Sequence, residues 1–483
     1  MPEKVANYCN DPILSEAGDE GEVPTDEYKL LSLNIIIRHG DRTPLHVIET
    51  KGVSTKSFRC YFDEHLIKNV PIIYDFTETM RQSKHAFESL ETFKAFNFTT
   101  LFPDVMVCPP GVLTPLGAAQ QLRNGLSLKN KYNKHNLLTE SDFEKNVKII
   151  TTMYSRTFQS AIAFIYGFLP KFNLAKLNFE MRDMANMCKR NSKIKCDCPA
   201  VQKMENVFAN SFEQTWTPHL LPMTDKHFYA RVLERFNFNS NKPDPRPTPI
   251  WDFLVAHHCH NQTLDDCLLI DLHNHVNEHG VRMTKNGRYK KISILKMIPL
   301  LHEILNKLSY NEKMLLGQYR TKNLKRSVTV ENNYDDDNGE NAVPVKSNVN
   351  GVDEPATNHL PTVILYSGHD STIEPIASSL GFADGHWPKY ASRIVIEQYG
   401  KNSKNANNNN SSKSLLRILY NGKAVTHLTP FCRNVGDELQ KFSLCPTSNF
   451  KTFVNEQLSG YRKDCHSMLV KRQNNLDGRE RIR

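Results

Sequence analysis

Residues 30–37 read LLSLNIII, from Leu30 to Ile37, and lead directly into Arg38-His39-Gly40-Asp41-Arg42-Thr43-Pro44. A nearly unbroken apolar run of this length suits a strand covered on both faces, as in the parallel part of an α/β sheet. In such sheets the residues just past the carboxyl ends of the strands gather at one site. Here that place holds an imidazole between two guanidiniums. Guanidinium forks bind phosphate in bidentate geometry. An imidazole held among them is placed to attack phosphorus and form a phosphohistidine. Gly40 lets the backbone approach an anion closely. The cationic neighbours also disfavour imidazolium and keep His39 neutral.

The same arrangement recurs further along the chain. Val147–Tyr154 reads as a second strand, followed by Ser155-Arg156-Thr157 and a helix with Phe158, Ala161, Ile162, Ile165 and Phe168 on one face, ended by Pro170. Val363–Tyr366 reads as a third, followed by Ser367-Gly368-His369-Asp370 and a helix carrying Ile373, Ile376, Ala377 and Leu380. Thr114 and Pro115 have the form of an N-cap and first helical residue. The expectation is an α/β fold: a three-layer, mostly parallel sheet core with helices on both faces, from residues 29–170 and 358–465. Residues 171–310 lack a comparable strand pattern and are expected as an inserted, mainly helical cap. Residues 1–28 are expected as a disordered acidic lead, 321–357 as a disordered polar insertion, and 466–483 as a basic tail. Asn405–Asn410 reads as an overgrown hairpin loop between strands at Ile394–Gln398 and Leu415–Tyr420.

Composition narrows the class. The chain has 483 residues, 39% hydrophobic and 23% charged, which excludes a wholly disordered protein. The net charge of +9 favours anionic ligands but is too small and too mixed to indicate nucleic acid. No run approaches the ~18 apolar residues of a membrane span, and residues 1–28 lack a secretory signal's basic start and apolar run. The 11 cysteines and the acceptor triplets at Asn97, Asn261 and Asn410 point instead to an oxidising lumen. Disulfides are expected among Cys188, Cys196, Cys198, Cys259, Cys267, Cys432 and Cys445, with Cys196 and Cys198 serving two separate bridges and Cys432…Cys445 closing a local loop. The odd count leaves at least one thiol unpaired. His257-His258-Cys259-His260 has no second ligand pair at zinc spacing. It is read as a cap loop with a disulfide and solvated histidines. No metal and no cofactor are expected.

The RHGxRxP pattern of Arg38–Pro44 resembles the signature of the histidine acid phosphatase family. LTPLGAAQQLRNG, SRTFQSAIAFIYGFLPKF, CKRNSKIKCDCP, SGHDSTI and RILYNG followed by CRN carry the resemblance from about Leu30 to Cys465. It implies that His39 is the nucleophile, that Arg38, Arg42, Arg156 and His369 bind the substrate phosphate, and that Asp370 is the proton donor to the leaving alcohol. Within the family the motifs look most like members that remove the 2-phosphate from xylose in the glycosaminoglycan–protein linkage of proteoglycans. That resemblance implies a phosphorylated glycan substrate, residence in the Golgi lumen or secretory pathway, and an N-terminal membrane anchor, which is not seen in this sequence. The alternatives are a broad-specificity acid or inositol-phosphate phosphatase of the same fold, and a catalytically silent phosphoglycan-binding relative. The presence of both His39 and Asp370 weighs against the last.

Overall fold

The computed structural model describes residues 3–12, 18–46, 57–85, 100–138, 143–190, 194–213, 247–262, 264–315, 361–402 and 414–480, with positions 48 and 234. The expected insertion at 321–357 and the loop at 405–410 lie outside these residues. The main sheet has eight strands: β1 Tyr28–Arg38, β2 Val147–Thr152, β3 Asn178–Arg182, β4 Val363–Gly368, β5 Arg393–Lys401, β6 Leu415–Tyr420, β7 Lys423–Ala424 and β8 Cys445–Pro446. Their order is β8-β6-β5-β1-β4-β2-β3, with β7 on β6. Strands β1, β4, β2 and β3 run parallel, while β5, β6 and β8 continue the sheet antiparallel beyond β1. In the parallel half Arg38 stands opposite Gly368, and Thr151 opposite Ser367. The ends of three strands are therefore level, and whatever follows them meets.

Eight helices matter to the site: α1 Glu3–Cys9, α2 Pro115–Tyr132, α3 Ser155–Phe168, α4 Pro247–Cys259, α5 Asp266–Thr284, α6 Gly287–Leu315, α7 Asp370–Leu380 and α8 Thr447–Glu480. Alternate strand residues point to opposite faces. Leu33, Ile35, Ile37, Ile149 and Leu365 pack with Ala118, Leu122, Phe158 and Ile162 of α2 and α3. Ile36, Ile150, Tyr366 and Ile394 pack on the other side with Ile298, Leu301, Ile376 and Phe450 of α6, α7 and α8. The core is thus three-layered, and each fully buried aliphatic side chain contributes about 1.5–3 kcal/mol relative to exposure.

Two expectations about organisation are corrected. The described part of 171–310 is not all an inserted cap, although α4 and α5 pack in a cluster of their own. It contains β3, an edge strand whose NFEMR sequence is half-exposed and so lacks the apolar run of its neighbours. Arg182 of β3 is held by Glu180 and by Glu303 of α6, and α6 belongs to the core's helical layer. Nor are the described residues among 1–28 a disordered lead. Val5 and Tyr8 of α1 are buried against Trp251 and Leu254. Glu20 is fully buried and pairs with Arg393 at 2.7 Å. The segment looked disordered because its acidic residues find their partners far along the chain, Glu20 at 373 positions and Glu22 at 109.

Disulfides join Cys9–Cys259, Cys60–Cys108, Cys188–Cys196, Cys198–Cys465 and Cys432–Cys445. Cys196 and Cys198 do serve two bridges, and Cys432–Cys445 is local. Cys267, expected in a bridge, is an exposed free thiol in the first turn of α5, because Cys259 pairs with Cys9 instead.

Candidate active site

The RHG turn leaves β1 pressed between two elements. His39 N donates to the Gly368 carbonyl at 2.9 Å, and Gly40 N donates to Ser160 Oγ of α3 at 3.1 Å. A Cβ on Gly40 would stand 2.2 Å from the Gly117 carbonyl oxygen, so only glycine lets the start of α2 close on this turn. The His39 ring is consequently fixed, with Nδ1 2.7 Å from the Gly40 carbonyl. A carbonyl only accepts, so Nδ1 carries the proton and Nε2 keeps its lone pair. Burial, then Arg156, Arg38, His369 and Arg42, hold the His39 pKa well below the usual histidine range. The ring is neutral.

His369 follows β4, with its ring centroid 5.5 Å from that of His39. Its Nε2 lies 2.9 Å from Thr152 Oγ1, which lies 2.8 Å from Thr157 Oγ1. The edge of Tyr154 closes the other side at 5.1 Å. Burial, then Arg156, pushes His369 down to about 3.

The three arginines are held by different means. Arg38 is fully buried, donates through Nη1 to Tyr8 Oη at 2.9 Å and to the Pro388 carbonyl, and lies over the Tyr390 ring at 4.5 Å. Arg42 makes a two-pronged ion pair with Asp252 of α4, at 2.8 and 3.1 Å. Arg156 donates to the Gly111 carbonyl at 3.3 Å and lies over Tyr154 at 4.4 Å. Burial, then Arg42, brings Arg156 down to about 10. Nε of each arginine is buried without an acceptor among the described residues, as is Nη2 of Arg38. Unpaired buried N–H groups are costly, and an oxyanion supplies the missing acceptors.

Asp370, the first residue of α7, completes the group. Its Oδ2 stands 3.1 Å from Arg38 Nη2, an ion pair that lacks hydrogen-bond alignment. The same oxygen accepts from Trp387 Nε1 at 3.2 Å, and Oδ1 accepts from Ser371 N at 2.7 Å. Burial raises the carboxyl's pKa, but Arg38, Arg42 and His369 outweigh it and hold it below the ordinary range. All six residues singled out in the sequence thus come from the ends of β1, β2 and β4 and act on one another.

Other contributors were not read from the sequence. Tyr8, Thr152, Asp252, Trp387 and Tyr390 each touch one of the six. A faint signal existed for two: Thr152 is polar at the end of a buried strand, and Asp252 is a lone acid in the apolar stretch IWDFLVA. The histidines after α4's apolar face are not the solvated loop expected. His257 and His258 are buried in the helix itself, because its packing extends to Cys259. His260 sits behind the RHG turn with Nε2 2.9 Å from Asp41 Oδ1.

The sequence profile of the histidine phosphatase superfamily (branch 2) matches residues 29–255 and 290–421. The chain belongs to that superfamily. Among similar proteins of this superfamily-like sequence are "2-phosphoxylose phosphatase 1" of Xenopus tropicalis, 29% identical over 96% of this chain and 82% of that one, and of Homo sapiens, 27% identical over 95% and 85%. In structure the chain is similar to the multiple inositol polyphosphate phosphatase of Bifidobacterium longum in complex with inositol hexasulfate. The TM-score is 0.53 at 11% identity, over 92% of this chain and 97% of that one. At that identity the likeness shows a shared histidine phosphatase fold. Among the described residues, no helix is long and apolar enough to cross a membrane.

Proposed function

We propose that this phosphatase hydrolyses a phosphomonoester through a phosphohistidine on His39, and that its substrate is xylose 2-phosphate in the glycosaminoglycan–protein linkage region. The observation that carries the chemistry is the His39 ring: Nδ1–H is committed to the Gly40 carbonyl, which leaves the Nε2 lone pair for phosphorus. In the first step Nε2 attacks phosphorus, the bond to the sugar oxygen breaks with its electron pair, and that oxygen takes the proton of Asp370. In the second, water attacks the phosphohistidine, Asp370 takes the water's proton, and the N–P electron pair returns to Nε2 as inorganic phosphate leaves. Arg38, Arg42, Arg156 and His369 hold the phosphoryl oxygens throughout. Asp370 begins as a carboxylate under the arginines' field. A bound phosphate dianion cancels much of that field, so substrate binding itself draws a proton onto the acid.

The curated relatives named for 2-phosphoxylose, aligned over most of their length, support the sugar assignment. The five disulfides support maturation in an oxidising compartment, in keeping with a Golgi or secretory-pathway protein. The test is turnover of a phosphoxylosylated linkage tetrasaccharide against simple phosphomonoesters. The tetrasaccharide is expected to give the highest kcat/KM, and a flat profile over the panel would replace the assignment with a broad phosphatase.

A further inference from the structure

The three arginines of the cradle differ in what stands behind them. Arg38 forms an ion pair with Asp370, and Arg42 a two-pronged one with Asp252. Among the described residues, no carboxylate is paired with Arg156. Its contacts are the Gly111 carbonyl, 3.3 Å from Nη1, and the ring of Tyr154, whose centroid lies 4.4 Å from Cζ. A carbonyl and a π face attract a guanidinium without cancelling its charge. Three guanidiniums set against two paired carboxylates leave the cradle a surplus of one positive charge, and that charge sits on Arg156. It is also the arginine least favoured where it stands. Burial, then repulsion from Arg42, lowers its pKa, whereas Tyr390 and Asp252 outweigh burial at Arg42 and raise that one. Something has to keep Arg156 from turning out to solvent.

Tyr154 is placed to do so. It is the residue before α3, and its carbonyl accepts from Thr157 N and Phe158 N, at 3.1 Å each. Its side chain makes no cap hydrogen bond. The backbone therefore fixes where the ring stands and leaves the ring free for other contacts. The guanidinium of Arg156 lies over the ring, and the ring meets that of His369 at 5.1 Å and 88°. Tyr154 itself is 51% exposed. It stands at the rim of the cradle, against two of the groups assigned to the phosphate. An arginine loses much rotamer freedom on being fixed. A shelf that holds it before the phosphate arrives removes that cost from binding.

We propose that Tyr154 is a positioning residue for the phosphatase reaction: its ring is the shelf that holds Arg156, which no described carboxylate pairs, ready for the phosphoryl oxygens. The proposal rests on the phosphatase reading above and adds how the cradle keeps one charge unspent until substrate binds. The π face carries this role and the hydroxyl does not.

The test is a double-mutant cycle of Tyr154→Leu and Arg156→Ala, with Tyr154→Phe beside it. It is read on acetyl phosphate, on a xylose 2-phosphate glycoside, and by competitive inhibition with inorganic phosphate. Leucine keeps apolar bulk and has no π face. Tyr154→Leu should lose about tenfold in kcat/KM on both substrates, with the inhibition constant of phosphate raised by a like factor. Tyr154→Phe should stay within about twofold of wild type. Arg156→Ala should lose about 100-fold or more. Adding Tyr154→Leu to it should cost less than about twofold further, because the shelf then has nothing to hold. Losses that multiply in the double variant would mean that Tyr154 acts apart from Arg156, and would overturn the proposal. A loss confined to the glycoside would make Tyr154 a sugar contact and overturn it too. So would a tenfold loss in Tyr154→Phe, whether or not the leucine variant folds. Labelling of wild type with ³²P from acetyl phosphate separates the levels. A labelled His39 with multiplying losses overturns the shelf alone. An unlabelled His39 removes the phosphatase reading and the shelf with it.

Discussion

The arginine cradle and the cavity lined by Trp387 are made differently, and the hydrogen bond from Trp387 Nε1 to Asp370 Oδ2 is a contact between them. The cradle comes from three level strand ends, and each contributes its residues within a few positions of the last ladder bond. It is strongly cationic, and its parts are locked by backbone carbonyls, buried aromatic rings and Asp252. The cavity comes from the start of α4, α5, the start of α6, α7 and the turn at 384–387, and its described lining holds no lysine or arginine. Strand ends in a hydrogen-bonded sheet cannot shift independently. Helices packed by side chains can change one residue at a time. The sheet therefore fixes the geometry of the cradle, and helix packing fixes that of the cavity.

The sharpest way to break the comparison is His39→Ala. If the cradle alone performs the chemistry, turnover and phosphoenzyme should vanish together, a loss of roughly 10⁴-fold or more, read by ³²P labelling. Residual labelling elsewhere in the chain would move the nucleophile.

Asp370→Asn probes the border between the two regions. A general acid contributes ~10²–10⁴-fold, and that loss should fall on sugar phosphates. An activated aryl phosphate, whose phenolate departs unaided, should be spared, and phosphohistidine should accumulate because water loses its base. Equal slowing of both substrates without trapped phosphohistidine would make Asp370 a structural residue.

The cradle's electrostatics also predict a pH dependence of stability. His369 titrates near 3 when folded and near 6.5 when unfolded. Below the unfolded value only the unfolded chain takes up the proton, so stability is complete above ~6.5 and is lost as pH falls toward 3. At pH 5 this one ring costs about 2 kcal/mol. His39 adds in the same direction, as does His279. The melting temperature should fall from pH 7 to 5, less steeply in His369→Asn, and less steeply with bound phosphate, which favours the protonated ring. Parallel profiles for wild type and variant would show that His369 is not shielded from protonation.

The smallest expected effect sharpens the boundary from behind. Tyr8→Phe removes the one side-chain acceptor of Arg38 that comes from α1. A net hydrogen bond of about 1 kcal/mol corresponds to roughly fivefold, expected in kcat/KM for every substrate alike, since the cradle is common to all. A substrate-dependent change would show that Tyr8 acts on more than the cradle.

Legibility in the sequence followed the same division. Leu30–Ile37 and Val363–Tyr366 are buried on both faces, so their apolar runs announced the strands and the polar residues after them announced the site. The edge strand at Asn178–Arg182 has one neighbour and half-exposed side chains, and its NFEMR carries no such run. Asp252 and Trp387 sit in no motif. Their meaning is a contact across 210 positions in one case and 17 in the other.

By itself the sequence indicated the core strands and the three-layer arrangement, because each rests on local pattern, a run of apolar residues, then a turn, then a helix, and the resemblance of the motifs at those strand ends singled out the six residues that the structure brings together. Tertiary structure alone decided the rest. It tied α1 to α4 through Cys9–Cys259 and so set Tyr8 against Arg38, and it left Cys267 free. It seated Asp252 on Arg42 and turned Trp387 toward Asp370. These pairings depend on helix packing and on chain closure over hundreds of residues, and nothing in the local chemistry of either partner specifies the other.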